Sequence, residues 1–101
     1  MIARVWRGWT LAEQADRYDR HYRSEVLGNL RRVPGFRGAR LLRRTVGPET
    51  EFVSLTFFDD LEAVRGFAGP DHEAAVVAGE AREVLVRYDK RVSHYETALE
   101  A

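Results

Sequence analysis

Apolar and polar positions divide this chain into six elements. Residues 2–9, Ile-Ala-Arg-Val-Trp-Arg-Gly-Trp, mix β-branched and aromatic side chains as strands do. Thr10 followed by Glu13 has capping-box spacing, the hydroxyl accepting from the Glu13 amide and the carboxylate reaching back to Thr10. A helix is expected there. Leu11, Ala15, Tyr18, Tyr22, Val26, Leu30 and Val33 recur at steps of 3 and 4 and form one apolar stripe. Asp16, Arg17, Arg20, Arg23 and Glu25 lie mostly off it, and Pro34-Gly35 ends the helix. A second strand follows over residues 36–46, a turn at Gly47-Pro48-Glu49, and a third strand over residues 51–58. The third strand is apolar on both faces: Val53, Leu55 and Phe57 on one, Phe52 and Phe58 with Ser54 and Thr56 on the other. A strand of that kind is central, with something packed on each side.

Asp59-Asp60 is a candidate N-cap for a short helix over residues 61–68, closed by Gly69-Pro70. Asp71 is expected to cap a further short helical turn through about Val77, residues 80–87 read as helix again, and residues 89–98 as the last strand. The order β, α, β, β, broken α, β has few right-handed solutions. The simplest is an α+β fold of ferredoxin-like βαββαβ architecture, with a four-stranded antiparallel sheet and both helical regions on one face. That leaves the strip Val53, Leu55, Phe57 uncovered, so a homodimer with sheets face to face is expected.

Length and composition narrow the picture. With 101 residues and no linker-like stretch, residues 1–101 are read as a single domain with a thin core. There is no cysteine, which removes disulfide and thiolate chemistry. Neither a signal peptide nor a run of about 18 apolar residues occurs, so a cytoplasmic location without membrane association is expected. Net charge is zero, which gives no support for nucleic acid as a partner. The halves differ, however. Residues 1–44 hold 11 arginines and 4 acids, and residues 45–101 hold 5 basic residues and 12 acids. Two solvated faces or complementary pairing, within a subunit or across a dimer, both fit. In the expected sheet order, Arg37, Arg40, Arg43 and Arg44 on one edge strand would meet Asp89, Glu96 and Glu100 of the other across the dimer.

The run Phe52-Val-Ser-Leu-Thr-Phe-Phe-Asp-Asp-Leu-Glu-Ala-Val-Arg-Gly-Phe-Ala-Gly-Pro-Asp71 resembles the antibiotic biosynthesis monooxygenase family, a branch of the dimeric α+β barrel superfamily. The N-terminal Ile-Ala-Arg-Val-Trp and the C-terminal Val92-Ser-His-Tyr-Glu96 are similar to it as well. The resemblance implies a head-to-head dimeric barrel with a pocket between each subunit's helices and its own sheet. It also implies, for the quinone-forming members, direct reaction of an electron-rich phenol with oxygen, without metal or flavin. The protein's part is then to bind, desolvate and deprotonate the phenol. Haem degraders of the superfamily carry an Asn on the first strand, a Trp ending the third and a ligating His on the next helix. Trp6, Phe58 and a residue near Val77 stand in those places here, a departure at all three.

Several side chains are candidates for chemistry, each with a plainer reading. Ser54 and Thr56 would point into the pocket, or bond to a backbone carbonyl in a filled core. Trp6 and Phe58 are candidate walls or core packing. Arg4 beside Trp6 could meet a carboxylate or phenolate, or an acid of the chain's second half. Gly8 leaves room for a ligand or backbone to approach. Tyr18 and Tyr22 on the stripe could orient a ligand through their hydroxyls, or sit at the helix–sheet seam. His72 is the candidate general base, titrating near neutrality and placed at a short helix's start, where the dipole would keep it neutral. The alternative is an exposed loop histidine. His21 is expected at the stripe's edge, solvated, and His94 in structure or dimer contact. No metal-ligand spacing joins the three histidines, and no nucleotide or hydrolase motif occurs. A small-molecule substrate without a cofactor or metal is therefore expected. Whether the chain is an enzyme stays open between a cofactor-independent monooxygenase on an aromatic or polyketide-like substrate (His72 as base, Tyr22 as orienter), a non-catalytic binding or structural dimer, and a polyketide-type isomerase or cyclase.

Overall fold

A computed structural model describes all 101 residues. Strand β1 (Ile2–Leu11) leads into a helical region made of a short 3₁₀ turn (Ala12–Gln14), α1 (Ala15–His21), a π-helical turn (Tyr22–Val26) and α2 (Leu27–Arg31). Strands β2 (Phe36–Val46) and β3 (Glu49–Phe58), helix α3 (Leu61–Ala68), helix α4 (Glu80–Val84), β4 (Leu85–Tyr88) and β5 (Ser93–Glu96) follow. The sheet is antiparallel in the order β2-β3-β1-β4, with β5 also pairing with β1. This is the α+β, ferredoxin-like arrangement expected from the element order.

Local chemistry explains most boundaries. Asp60 accepts from the Ala63 amide at 2.9 Å and starts α3. Gly35, at φ +90°, makes the turn after α2, where a Cβ would lie 2.7 Å from that of Ala63. Four expectations fail. Thr10 does not cap a helix. It pairs with Thr50 inside the β1–β3 ladder, and its buried hydroxyl has no partner. The long ladder overrides the local cap signal, and Leu11, expected on the helix stripe, ends the strand 41% exposed. Residues 71–77 form no helix; Asp71 Oδ1 accepts instead from the Glu73 amide at 3.2 Å. Residues 85–87, expected as helix, are strand instead, drawn into the sheet as β4 beside Gly8, Trp9 and Thr10 of β1. The last strand, expected over residues 89–98, is confined to Ser93–Glu96, because residues 89–92 swing out to bridge Arg91 with Ala74.

Alternation along the strands sends Phe52, Ser54, Thr56 and Phe58 inward, all buried, and leaves Val53, Leu55 and Phe57 half-buried on the opposite face. Two apolar clusters form between sheet and helices. One holds Trp6, Ala15, Tyr18, Tyr22, Phe52, Ala81, Val84 and Val92; the other holds Leu30, Phe58, Ala63 and Val64. The oppositely charged halves pair within the chain: Arg7 with Asp89, Arg17 with Glu80 and Glu83, Arg37 with Asp59, and Arg44 with Glu51. Arg43 pairs with Asp16. Of the edge charges expected to meet across a dimer, Arg37, Arg43, Arg44 and Asp89 are thus already neutralised inside one subunit.

Candidate functional site

The inward face of the sheet and the helical region do not close completely on each other. They enclose a cavity of about 430 Å³, whose remaining wall is the loop of residues 76–79 running into α4. From β1 come Arg4 and Trp6, and opposite them in register on β3 stand Thr56 and Ser54. Across the cavity stand Tyr18, His21, Tyr22, Glu25 and Val26, with Phe67 of α3. The π-helical turn sets this helical wall. In a regular α-helix each step of four residues turns the side chain by about 40°, so three steps would carry Leu30 about 120° away from Tyr18. The wide turn takes up the excess residue, and Tyr18, Tyr22, Val26 and Leu30 all still line the cavity.

Polar groups are few and placed. The Tyr22 hydroxyl and Ser54 Oγ share a buried hydrogen bond of 2.7 Å. Burial holds the Tyr22 hydroxyl above the ordinary tyrosine range, with the Ser54 bond acting the other way. Burial raises Tyr18 too, helped by Tyr22. Tyr18 stacks on Trp6 at 6.1 Å and lies 4.8 Å from the Phe52 ring, so its face is fixed from two sides. Arg4 is 3% exposed. It donates through Nη1 to the His72 carbonyl at 2.5 Å and through Nη2 to the Ala74 carbonyl at 2.8 Å. Nη1 also meets His94 Nε2 at 3.1 Å. A guanidinium only donates, so His94 accepts there and carries its proton on Nδ1. Desolvation pushes His94 down to about 4, with the charge of Arg4 adding to it, and pushes Arg4 down to about 10.

Among the residues expected at a site, Arg4, Trp6, Tyr18, Tyr22, Ser54 and Thr56 all line this cavity. Phe58 does not: it is fully buried in the second cluster, against Phe36 and Phe67. His72 does not line it either. With no helix at residue 71, its carbonyl is tied to Arg4 and its ring lies 5.3 Å from that of His94. His21, expected in solvent, is 8% exposed and lines the cavity. The cause is tertiary: the loop at Gly79 passes over its ring, which has no hydrogen bond to any protein group. The space above Gly8 is taken by Trp6 itself, since a Cβ there would lie 2.9 Å from Trp6 Cζ2. Haem fits poorly. Val77, near the place of the ligating histidine, brings an apolar side chain to the wall, and Phe58 is turned into the core.

Comparison with known proteins agrees with this geometry. The family model "Antibiotic biosynthesis monooxygenase" matches residues 1–79. A search among curated proteins finds no match. The chain is similar in fold to a haem degrader of Mycobacterium tuberculosis solved with two haems in its active site: TM-score 0.67, 19% identity, 100% of this chain and 99% of that one covered. It is similar to a second M. tuberculosis protein, Rv0793, at TM-score 0.64, 20% identity and 99% and 97% coverage. It is also similar to a cofactor-independent oxygenase of Streptomyces nogalater, at TM-score 0.61, 20% identity and 98% and 94% coverage. At these identities the likeness concerns the fold.

Proposed function

The chain belongs to the antibiotic biosynthesis monooxygenase family, and on that premise we propose that it is a cofactor-independent monooxygenase-like enzyme acting on a small aromatic or polyketide-like substrate. The observation that carries this reading is the cavity of about 430 Å³, large enough for a fused aromatic ring system and walled mostly by apolar side chains with a few placed polar ones. Trp6 and Tyr18 form an aromatic wall for the substrate to stack on. The Tyr22–Ser54 pair orients an oxygen of the substrate, and His21 takes the proton expected of His72, because its ring is the one imidazole on the wall. The deprotonated phenol or enol then reduces oxygen directly. When a ring methylene becomes a carbonyl, the substrate supplies all four electrons, one oxygen atom stays on carbon and the other leaves as water.

A homodimer belongs to the same proposal. Val5, Val53, Leu55 and Phe57 share the sheet's outer face with Leu42 and Tyr95, and none of them joins either core cluster. A second copy of the sheet is their natural cover.

The test is oxygen uptake by the purified protein with electron-rich phenols, hydroquinones and anthrones, no cofactor added. Uptake that falls at least tenfold in His21→Ala and is unchanged in His72→Ala supports the reading. Equal rates with and without protein across the panel would end it.

A further inference from the structure

Arg4 presents a charge that the fold does not neutralise. Of the fifteen arginines, nine are ion-paired, at Arg7, Arg17, Arg23, Arg37, Arg43, Arg44, Arg65, Arg87 and Arg91. Five more, Arg20, Arg31, Arg32, Arg40 and Arg82, are exposed, where water solvates them. Arg4 alone is buried and has no carboxylate within ion-pairing distance. Its polar neighbours are two carbonyls and a neutral imidazole, which accept hydrogen bonds, and the Phe67 ring lies 5.7 Å from Cζ; none of them carries a negative charge. A guanidinium has five N–H groups. Three are used, so Nε–H and one proton of Nη2 have no protein partner. The side chain lines the cavity. The two carboxylates on the same wall do not reach it: Glu25 is exposed at the rim, and Glu80 is paired with Arg17.

Buried charges are paired or they destabilise the fold that contains them. We propose that the partner of Arg4 is the ligand itself: a weak organic acid bound as its anion, with a carboxylate, phenolate or enolate oxygen on the free N–H groups of Arg4 and its ring against Trp6 and Phe67. The proposal rests on the cavity's being a ligand site and not on any oxygen chemistry. Within the oxygenase reading it has a direct consequence. A positive charge beside a phenol favours its ionised form, so Arg4 and His21 act together, one stabilising the anion and the other receiving the proton.

Binding tests this without turnover. Tryptophan fluorescence titrations and thermal shifts would compare 1-naphthoate with 1-naphthamide, and 2-naphthol with 2-methoxynaphthalene, on the wild-type protein. The acid of at least one pair should bind at least tenfold more tightly than its neutral partner. A carboxylate that wins identifies a carboxylate ligand, and a naphthol that wins identifies a phenolate. Because surface arginines also attract anions, the titrations are repeated in 0.5 M NaCl, which screens exposed charge but not a buried one. The preference should persist there, survive in Arg4→Lys and vanish in Arg4→Met. Should Arg4→Met fail to fold, the salt comparison on the wild type still decides. No pair in which the acid outbinds its neutral partner, a preference lost in salt, or a preference intact in a folded Arg4→Met overturns the proposal. Tight acid binding without oxygen uptake would leave it standing while the oxygenase reading fell.

Discussion

Tyr22 and Ser54 depend on each other more than on anything else nearby. Their hydrogen bond is 2.7 Å long and buried, so removing either hydroxyl leaves the other without a partner. Tyr22→Phe or Ser54→Ala alone should cost about 1–3 kcal/mol in urea unfolding, while the double variant should cost less than the sum. Additive losses would mean that water already solvates both groups. His94 gives a residue-scale signature in pH. Its folded value of about 4 lies below the ordinary histidine value of 6.5. The unfolded chain therefore takes up a proton first as pH falls, and stability present above pH 6.5 is lost progressively down to about 4. His94 is partly exposed, and solvent screening holds the loss to about 1 kcal/mol. His94→Gln should flatten urea midpoints across that range; an unchanged slope would assign the acid sensitivity elsewhere.

At the scale of elements, the π-helical turn decides what the helical wall presents. Deleting Ser24, whose hydroxyl bonds to the Arg20 carbonyl at 2.9 Å, should turn the wide turn into an ordinary α-turn. Because the wide turn absorbs one residue, Tyr18 and Leu30 would keep a common face, the eleven α-helical steps then separating them making three full turns and only about 20° more. Far-UV circular dichroism should keep its helical signal, and the thermal shift given by a bound naphthol or naphthoate should persist. A shift lost from a folded variant would show that the cavity wall needs the wide turn itself. This turn was legible in principle, since Tyr18, Tyr22, Val26 and Leu30 are three consecutive steps of four, a rhythm no regular α-helix keeps on one face. Read as plain helical spacing, the same residues located the inward stripe but left His21 in solvent. Strand β3 and helix α3 were readable because alternation and an Asp cap are local signals. What was not readable came from distant partners: Thr10 drawn into a ladder with Thr50, Asp71 closing a turn in place of a helix, and the break between β4 and β5 enforced by the bridge to Ala74. The site divides the same way. Six of its residues sit on elements with strong patterns, whereas His72 was placed by a helix that does not form.

Over the whole molecule, the cavity and the bare outer face are two consequences of one thin layer of helices on one sheet. Burying the outer face in a dimer should double the mass in solution from 11.6 kDa at micromolar concentration, as read by light scattering. Leu55→Arg, at the centre of that face, should return it to the single-chain value without unfolding it. A wild-type mass of one chain would remove the dimer. The sheet's two borders carry a different consequence. One is β2, studded with Arg37, Arg40, Arg43 and Arg44 and kinked between Phe36 and Gly38. The other is split into runs of four residues, Leu85–Tyr88 and Ser93–Glu96, by an outward detour. The β2 border runs unbroken from Gly38 to Val46, but its arginines set like charges against a second copy of the same edge, and the split border offers only short runs. Growth by adding strand after strand to an edge, as in a fibril, is thereby opposed at both borders. A chain that leaves one apolar face of its sheet uncovered is in this way guarded against aggregation at the sheet's edges.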